Sequence, residues 1–464
     1  MAHQLTIKAP FDGKEIATLP LHSLDEVKKM LSGAHALSRR PKARISVPHR
    51  LEILAKTQEI IRHNDEKFLL MAAQEGGKPY ADSRVEIDRA LQGIQVAMEH
   101  LKSMAGEEIP MGLTVPSQNR WAFTKREPVG VVFAISAFNH PFNLIVHQVI
   151  PAIAVGCPVL VKPARQTPLS CQNLVHSLYE AGLPKEWCQM VLCDHETVDF
   201  LVKDPRLSYF SFIGSSEVGW KLRSKLAPGV TSALEHGGAA PVIVTEDADL
   251  EDALPLLVKG GFYHAGQVCV SVQRVFAHQS IAQKLAEQMA QAAKTLTVGD
   301  PTHPATQVGP LIHHNEVNRV KEWVDEAVQS GAKLLTGGKA LSPSCYEPTV
   351  LFNPPDAVRV SRQEIFGPVV CVYPYKTLDE AIERANQLPF VFQSAVFTKN
   401  MDTAFKCLRE LDATAVMVND HTAFRVDWMP FGGRRQSGAG VGGIPYTMKE
   451  MTFEKLAVLR SPEL

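Results

Sequence analysis

Apolar residues follow two different periods along this chain. Residues 48–105 carry them at intervals of three and four, as at Leu51, Leu54 and Ile61, which predicts amphipathic helices. From residue 129 onward, short apolar runs alternate instead with helix-length segments. These runs predict strands at 129–135, 159–162, 188–192, 209–213 and 242–244, with helices at 143–155, 169–181 and 217–226. Such alternation is typical of a parallel sheet covered by helices, the architecture of nucleotide-binding domains.

A second α/β series is predicted after residue 245, with helices near 280–294 and 315–330. A stretch rich in glycine and proline, 430–443, then interrupts regular structure before a last strand-like segment at 455–459. An isolated strand leaves its backbone polar groups unpaired. We therefore expect this segment to pair with the RWAFTKREP segment near residue 121, or with a sheet of another subunit.

The composition of the 464 residues, with 45% hydrophobic and 21% charged side chains, is that of an ordinary globular protein of two or three domains. The formal net charge of −1 gives no indication of a nucleic-acid or membrane-surface partner. The apolar runs are too short to cross a bilayer, and the first residues lack the apolar core of a signal peptide. We expect a cytoplasmic protein with neither nucleic acid nor membrane as a partner.

Eight cysteines are spread along the chain, and no two have the Cys-x-x-Cys spacing of a zinc or redox site. We therefore predict no metal centre and expect most cysteines to be small core residues. Cys269 has a distinctive context, because Gly266 precedes it by three residues. Glycine permits a close backbone approach there, and a neighbouring backbone N–H can point at whatever the sulfur attacks. A buried structural cysteine is the alternative.

Two further polar residues stand where catalysis could use them. Glu235 comes just before Gly237 and Gly238, which let the backbone pass close to a ligand, although a loop glutamate can also be a solvated surface charge. Asn139 follows the predicted 129–135 strand, and doubly wound sheets bind ligands at the carboxyl ends of their strands. Its amide can donate to a developing oxyanion, or it can cap the next helix.

Two other strand ends carry residues that suit a nucleotide. Lys162 ends the 159–162 strand, where a lysine can contact a ribose or a phosphate or simply lie at the surface. Gly214 and Ser215 lie between a strand and a helix start. Free backbone N–H groups and the helix dipole at such a point favour an anion such as a pyrophosphate.

Together with Glu364-Ile365-Phe366-Gly367-Pro368-Val369 and Pro430-Phe431-Gly432-Gly433, these motifs occur in an order that resembles the aldehyde dehydrogenase superfamily over nearly the whole chain. The resemblance implies an α/β fold with a Rossmann-like cofactor domain, an α/β catalytic domain and a small β oligomerisation arm. The boundaries it implies are 1–117 and 138–238 for the NAD(P)-binding domain, 239–432 for the catalytic domain, and 118–137 with 433–464 for the arm. It also implies a homodimer or a homotetramer.

In that family the cysteine of Gly-Gln-x-Cys attacks the aldehyde carbon, which assigns this role to Cys269. The resulting thiohemiacetal develops negative charge on oxygen, and the matching donors are the Asn139 side chain and the Cys269 backbone N–H. Hydride then leaves for the nicotinamide, and a thioester remains on the sulfur. Glu235 corresponds to the base that activates water to hydrolyse this thioester. The resemblance thus implies release of a free acid rather than transfer to CoA.

The resemblance also assigns contacts to a bound NAD or NADP. Lys162 corresponds to the lysine at the adenosine ribose, and Glu364 with Phe366 to the pair at the nicotinamide ribose. The complete set implied at the cofactor is Ile135, Ser136, Ala137, Phe138, Lys162, Ala164, Arg165, Phe212, Gly214, Ser215, Val218, His236, Gly237, Glu364 and Phe366.

The sequence departs from the family pattern near the cofactor. Arg165 stands where NAD-preferring members often have a glutamate. An arginine there would attract a 2′-phosphate, so we expect NADP to be accepted unless Arg165 points to solvent. His236 and Ala239 replace the usual leucine and lysine. We expect His236 to pack as a neutral side chain, the alternative being an effect on the water path or on cofactor fit. Residues 388–392 lack the usual tyrosine–glycine pair, which predicts a different local loop.

The sequences Phe138-Asn139-His140-Pro141 and Phe424-Arg425-Val426-Asp427 resemble the branch that contains lactaldehyde, non-phosphorylating glyceraldehyde-3-phosphate and phosphonoacetaldehyde dehydrogenases. That branch acts on small, polar or anionic aldehydes. Candidate substrate contacts are Arg89, His147, Val268, Arg425 and Phe431, with a salt bridge or helix packing as the alternative for Arg89, His147 and Arg425. Val268 argues against a strong anion pocket, because some relatives acting on anionic aldehydes have arginine there. A CoA-acylating semialdehyde dehydrogenase and a catalytically silent binding or structural relative remain alternatives.

Overall fold

The computed structural model describes residues 4–464. These residues form fifteen α-helices, which are α1 (Leu24–Ser38), α2 (Val47–His63), α3 (Asp65–Gly76), α4 (Tyr80–Ser103), α5 (Asn143–Val155), α6 (Pro168–Glu180), α7 (His195–Lys203), α8 (Ser216–Arg223), α9 (Leu250–Phe262), α10 (Ala282–Lys294), α11 (His314–Gln329), α12 (Arg359–Arg362), α13 (Leu378–Asn386), α14 (Met401–Glu410) and α15 (Ile444–Glu450).

The same residues form twenty β-strands, which are β1 (Gln4–Lys8), β2 (Glu15–Pro20), β3 (Glu108–Ile109), β4 (Arg120–Pro128), β5 (Val131–Ile135), β6 (Val159–Lys162), β7 (Cys188–Met190), β8 (Leu207–Ile213), β9 (Thr231–Glu235), β10 (Pro241–Val244), β11 (Arg274–His278), β12 (Lys333–Thr336), β13 (Thr349–Phe352), β14 (Val369–Tyr375), β15 (Phe390–Val391), β16 (Gln393–Phe397), β17 (Ala415–Val418), β18 (Arg434–Arg435), β19 (Gly438–Ala439) and β20 (Thr452–Arg460). Within residues 4–464, no helix is long and apolar enough to cross a membrane.

The first sheet has the strand order β19-β9-β8-β5-β6-β7, and β5 to β9 pair in parallel. Helices α2 to α6 pack apolar side chains against one face of this sheet, and α1, α7 and α8 cover the other. Because both faces are buried, the strands are continuous apolar runs such as the fully buried Val131–Ile135. The sequence-based prediction of a parallel sheet covered by helices is confirmed.

The second sheet has the order β12-β13-β14-β11-β10-β16-β17, with an antiparallel β12–β13 pair at one edge and parallel pairs elsewhere. Its core is the largest in the molecule and contains α10 and α11, which lie close to the two predicted helical segments. The carboxyl ends of the first sheet and the loop before β11 face the same cavity, and this places the site described below.

A separate three-stranded antiparallel sheet has the order β20-β4-β3. Strand β20 pairs with β4 over nine residues, from Thr452 opposite Pro128 to Arg460 opposite Arg120. The predicted pairing of the last strand with RWAFTKREP is therefore confirmed. This sheet leaves large apolar side chains exposed, namely Trp121, Phe123, Phe453, Leu456, Val458 and Leu459.

Some predicted element ends differ from the structure. The strand predicted at 129–135 begins at Val131, because the Val129 N–H still donates to Met451 and Gly130 has a positive φ of 131°. Strand β5 lies inside the first sheet. Strand β19 also belongs to this sheet, where it pairs with β9, and α15 packs on α5.

Candidate active site

A cavity of about 830 Å³ lies between the two large sheets; we call it the catalytic cavity. It brings together most of the residues predicted at a site, namely Arg89, Ile135, Ser136, Ala137, Phe138, Asn139, Ala164, Phe212, Gly214, Ser215, Val218, Glu235, His236, Gly237, Val268, Cys269, Glu364, Phe366, Arg425 and Phe431. Three predicted residues, Lys162, Arg165 and His147, do not line it. Lys162 is buried at the end of β6, and exposed Arg165 instead lines a smaller cavity beside β1.

The backbone before Cys269 makes a tight left-handed turn. His264, Ala265 and Gly266 have successive φ values of 48°, 54° and 69°. A Cβ on Gly266 would collide with the Gly367 carbonyl, which confirms the close approach predicted for this glycine. Two non-glycine residues in this conformation store backbone strain, as is common at functional sites. Of the eight cysteines, seven are buried and Cys269 alone is partly exposed, so it is the accessible thiol.

Hydrogen bonds hold the turn before Cys269 to the surrounding structure. The side chain of Gln267 donates to the Pro310 carbonyl at 3.2 Å and accepts from the Ile312 N–H at 3.0 Å. Asn139 Nδ2 donates to the Gln267 carbonyl at 2.9 Å, which leaves its second amide hydrogen for another acceptor. The predicted oxyanion donor and the predicted nucleophile are thus held in one hydrogen-bonded unit.

Cys269 and Glu235 both lie in a low-dielectric environment with one cation near them. Burial raises the pKa of the Cys269 thiol to about 12, and Arg425 acts against this rise. Burial also raises the pKa of Glu235, and Arg425 again opposes the shift. A raised carboxyl pKa suits a general base that must take a proton near neutral pH. Arg425 therefore acts electrostatically on both predicted catalytic groups.

Glu235 is positioned by the end of β9 and by the glycine-rich stretch near the carboxyl terminus. Its backbone carbonyl accepts from the Gly214 N–H at 3.1 Å. A Cβ on Gly442 would collide with Glu235 Oε1. The 430–443 stretch, which the sequence predicts to interrupt regular structure, thus provides a wall against which this carboxylate lies.

Arg425 itself stacks on Phe431, with Cζ 3.5 Å from the ring centroid. Its Nη2 lies 3.4 Å from His147 Nδ1, and its buried Nε has no hydrogen-bond partner among residues 4–464. A buried guanidinium donor left unpaired in this way is costly without an acceptor. Arg425 lines the catalytic cavity and forms no ion pair within residues 4–464, so its guanidinium is able to bind an anionic group there.

Asp427 is a functional candidate that the sequence reasoning missed. Its two carboxylate oxygens accept from Arg89 Nη2 at 2.6 Å and Nε at 3.2 Å, and from His147 Nε2 at 2.6 Å. Burial opposes its ionisation, but the charges and hydrogen bonds of His147 and Arg89 hold its pKa well below the usual range. Because ionised Asp427 only accepts, His147 Nε2 carries the proton and Nδ1 is left to accept from Arg425.

Glu86 and Lys78 were also missed. Glu86 accepts from the backbone N–H groups of Phe142 and Asn143, at 2.8 and 2.9 Å, and pairs with buried Lys78 at 2.9 Å. A carboxylate at a helix start satisfies free N–H groups and complements the dipole. This fixes the start of α5 and hence the loop that carries Asn139. The eight-residue separation between Lys78 and Glu86 would not have identified them as partners.

The cofactor side of the catalytic cavity contains groups suited to a dinucleotide. Ser136 Oγ is buried without a hydrogen-bond partner among the described residues, at the end of β5. The carboxylate of Glu364 lies against Gly237 and accepts from the Gly238 N–H at 3.2 Å, and burial raises its pKa to about 8. These residues fit a bound NAD or NADP, because strand ends, close glycine backbone and free hydroxyls converge there.

His236 packs between Phe212 and Trp220, with ring centroids 5.7 and 5.8 Å away. Its Nδ1 lies 3.0 Å from the Gly214 carbonyl, and burial lowers its pKa, so it is neutral near pH 7. Gly219 leaves room for the ring, since a Cβ there would collide with it. The expectation of a packed neutral histidine is confirmed. The variant loop at 388–392 places Phe392 against Phe431, with the ring centroids 4.7 Å apart.

Known proteins similar to this chain cover its whole length. Residues 2–456 match the aldehyde dehydrogenase family. The 3-sulfolactaldehyde dehydrogenase of Priestia aryabhattai is 38% identical over 459 residues, which are 99% of this chain and 95% of that protein.

Two solved structures have closely similar folds. Aldehyde dehydrogenase 21 from Physcomitrella patens, in complex with the reaction product succinate, superposes with a TM-score of 0.95 at 33% identity, covering 99% of this chain and 95% of that one. Glyceraldehyde-3-phosphate dehydrogenase GapN from Methanocaldococcus jannaschii, complexed with NADP, gives 0.94 at 33% identity, covering 99% and 100%. The chain belongs to the aldehyde dehydrogenase family and oxidises an aldehyde to its carboxylic acid with NAD or NADP.

Proposed function

We propose that Cys269 is the nucleophile of this oxidation and that Asn139 and the Cys269 backbone N–H stabilise the oxyanion. The observation that supports this best is the convergence of Cys269, Asn139, Glu235 and Arg425 on the catalytic cavity. Cys269 first loses its proton to water, a loss that Arg425 favours against the effect of burial. Attack of the resulting thiolate on the aldehyde carbon forms a carbon–sulfur bond and a thiohemiacetal oxyanion. The free hydrogen of Asn139 Nδ2 donates to this oxygen, and because it is already oriented by Gln267 little reorganisation is needed.

NAD(P)+, when bound, accepts the hydride that leaves the thiohemiacetal carbon. A thioester on Cys269 remains. Glu235 takes a proton from a water molecule that attacks the thioester carbonyl, and the carbon–sulfur bond breaks to release the acid and the thiolate. The raised pKa of Glu235 supports this role, because burial makes its carboxylate a stronger base.

For the cofactor, we propose that Lys162 holds the adenosine ribose and that Gly214 and Ser215 face the pyrophosphate. Glu364 and Phe366 contact the nicotinamide ribose. Ile135, Ser136, Ala137, Phe138, Ala164, Phe212, Val218, His236 and Gly237 complete the cofactor contacts. Phe366 packs edge-on against Phe138 at 5.9 Å between centroids, which joins the two sides of this region.

We further propose that the aldehyde is small and carries an anionic group which Arg425 binds. The observation that carries this proposal is the Arg425 guanidinium, which lines the same cavity as Cys269 and forms no ion pair within residues 4–464. Arg89 and His147 do not bind the substrate directly in this account. Both are already bonded to Asp427, so they orient Arg425 instead. Val268 and Phe431 form apolar walls.

Val268 supplies no positive charge beside Cys269, which is why the sequence predicts a weak anion pocket. The cation comes from Arg425 rather than from the residue before the nucleophile. The relatives agree with a small anionic aldehyde, because one is named for 3-sulfolactaldehyde and one was solved with succinate. The aldehydes related to these two names are therefore the first compounds to test.

Matched aldehydes test the substrate class. Lactaldehyde and 3-sulfolactaldehyde differ by one sulfonate, and butanal and succinic semialdehyde differ by one carboxylate. We expect kcat/KM to be at least about 10²-fold higher for each anionic member, as a desolvated charge pair is worth several kcal/mol. Arg425→Met should abolish most of that difference while uncharged aldehydes are still oxidised. Equal kcat/KM within each pair would contradict the anionic substrate and leave the catalytic proposal intact.

The identity of the product tests the hydrolytic step. Free acid should form at the same rate with and without added CoA. A CoA thioester as the main product would instead assign the chain to the CoA-acylating alternative, and Glu235 would then need another role.

We propose that the protein is a homodimer or a homotetramer assembled through the β20-β4-β3 sheet. Trp121, Leu456, Val458 and Leu459 are each 45–54% exposed in the single chain. Apolar patches of this kind on an edge sheet mark contact surfaces. Light scattering of the wild type against Leu456→Glu would test it, because a buried glutamate should shift the mass toward the monomer.

A further inference from the structure

A second cavity, of about 610 Å³, opens on the catalytic domain away from Cys269. Four arginines line it, Arg274, Arg359, Arg362 and Arg384, against the single carboxylate of Asp356. Arg359 is neutralised by Glu322 and Glu326 at 2.8 and 2.5 Å. Arg384 lies near two carboxylates, those of Asp356 at 2.9 Å and Glu380 at 3.8 Å. Arg274, Arg362 and Arg384 with these two carboxylates leave a formal charge of +1.

Arg274 is the deepest of these cations. It is 4% exposed, and all its hydrogen bonds go to backbone carbonyls, those of Ala239, Arg384 and Ala385. Burial lowers its pKa to about 10, so the guanidinium remains charged at neutral pH. Three of its five N–H groups are used, and two remain. A buried charge neutralised only by dipoles is a strong attractor for an anion.

Arg384 forms the neighbouring wall. Its guanidinium lies 5.2 Å from the ring centroids of both Phe276 and Tyr373, and its Nη2 donates to Asp356 at 2.9 Å. Its Nε is buried without a partner among residues 4–464. Arg362 is exposed at the rim and forms no ion pair in the described part of the chain. Arg274, Arg362 and Arg384, which all line the second cavity, thus retain N–H donors that have no acceptor among residues 4–464.

We infer that this second cavity binds the phosphate group of a small phosphorylated metabolite. The net positive wall attracts a phosphate anion, and guanidinium forks bind phosphate oxygens in pairs. The volume is that of a small-molecule site and exceeds what a free phosphate needs. Leu388 and Pro389 provide apolar wall for the rest of the molecule.

The second cavity is connected to the catalytic cavity through one short segment. Gln363 lines both cavities and directly precedes Glu364. Gln273, next to Arg274, donates to the carbonyl of Gln363 at 2.7 Å and accepts from the Ile365 N–H at 2.9 Å. A ligand on Arg274 and Arg362 therefore acts on the segment that carries Glu364. We expect it to change KM for the cofactor more than kcat; this effect rests on the proposed role of Glu364, whereas the binding does not.

Titration calorimetry of the full-length protein tests the binding, with inorganic phosphate, glycerol 3-phosphate and sodium chloride as the probes. We expect saturable binding of the two phosphates and none of chloride. Arg362→Gln should weaken it by about five-fold, the contribution of one charge-assisted hydrogen bond at a rim. Leu388→Glu should abolish it by adding a negative charge to the wall. Arg409→Gln, an exposed arginine outside the cavity, should bind as the wild type does.

Phosphate could also bind in the catalytic cavity, and Arg425→Gln separates the two sites. Binding that persists in Arg425→Gln and weakens in Arg362→Gln supports the second cavity. Binding lost in Arg425→Gln but unchanged in Arg362→Gln and Leu388→Glu would overturn the inference. The absence of saturable heat up to about 10 mM of either phosphate, a concentration that fills a millimolar site, would also overturn it. Tighter binding of glycerol 3-phosphate than of phosphate would identify the organic ester as the ligand form.

Discussion

The two ends of the catalytic cavity are built on different principles. At the cofactor end the residues sit at strand ends and helix starts, as Ser136, Gly214 and Ser215 do, and the backbone topology alone places them. At the substrate end the side chains form a charged chain, Arg89–Asp427–His147–Arg425, whose members come from α4, α5 and the loop before Phe431. One end is therefore defined by topology and the other by side-chain pairing.

We therefore expect a substitution to have a local effect at the cofactor end and a wider effect at the substrate end. A change at the cofactor end removes one contact with a ligand. A change at the substrate end leaves a charge buried without its partner, so it should affect stability and catalysis together. Cys269 and Glu235, the proposed catalytic pair, lie between the two ends, and the charge of Arg425 acts on the pKa of both.

The largest effect on turnover is expected from a change of Glu235, which lies between the two ends of the catalytic cavity. Glu235→Gln should lower steady-state kcat by about 10²–10⁴-fold, the range for loss of general base catalysis. Thioester formation does not use this base, so NAD(P)H should still appear in a burst. Stopped-flow absorbance at 340 nm measures both phases. Loss of the burst along with turnover would place Glu235 earlier in the reaction.

Asp427→Asn should separate the two ends most clearly. Loss of this carboxylate leaves Arg89 and Arg425 without a common counter-charge, so we expect the free energy of unfolding to fall by about 3–5 kcal/mol. We also expect kcat/KM for an anionic aldehyde to fall about 10²-fold through misplacement of Arg425. Cofactor KM should change little. Urea unfolding and initial rates measure these effects, and a matching rise in cofactor KM would show that the two ends are not independent.

The pH dependence of activity tests the electrostatic effect of Arg425 on Cys269 and Glu235. Arg425 opposes the burial-induced rise in the pKa of both Cys269 and Glu235, so its removal should let both pKa values rise further. Activity on an uncharged aldehyde depends on the deprotonated forms, and its rising limb should therefore move to higher pH. For Arg425→Gln we expect a displacement of about 1 pH unit. An unchanged limb would mean that Arg425 serves only to bind the substrate.

The smallest effect is expected at the exposed rim of the cofactor end. We propose that Arg165 attracts the 2′-phosphate of NADP, although it lines the smaller cavity beside β1 and not the catalytic cavity. Arg165→Glu should shift the ratio of kcat/KM values toward NAD by about ten-fold, as expected for a reversed surface charge near a phosphate. Arg62→Glu, an exposed reversal on α2, is the matched control. Equal ratios in both variants would remove Arg165 from the cofactor site.

The comparison of the two ends also explains what the sequence could predict. The strand runs, the turn at Gly266 and the helix start at Ser215 depend on local patterns, and the structure places them close to where those patterns indicate. Asp427 and Glu86 depend on contacts across 338 and 56 residues of chain, and no local pattern indicates such partners. The family resemblance suggests Arg89 and His147 as substrate contacts. No sequence pattern indicates their hydrogen bonds to Asp427.

The start of β5 shows the same limit. Only Val129 and Gly130 separate β4, which pairs with β20, from β5, which pairs with β6, so hydrophobicity alone places the start of β5 two residues too early. The second cavity also has no sequence signature, because its arginines lie on β11, α12 and α13 and meet only through the sheet.

In the proposed mechanism Cys269 carries the acyl group and Glu235 releases it, and trapping the acyl group tests both roles. Glu235→Gln should be mixed with NADP+ and the best aldehyde, quenched in acid, digested and analysed by mass spectrometry. We predict an acyl adduct on the peptide that contains Cys269, approaching one per chain, and its absence when the cofactor is omitted. An adduct on one of the seven buried cysteines, or full NADPH production without any adduct, would contradict the account.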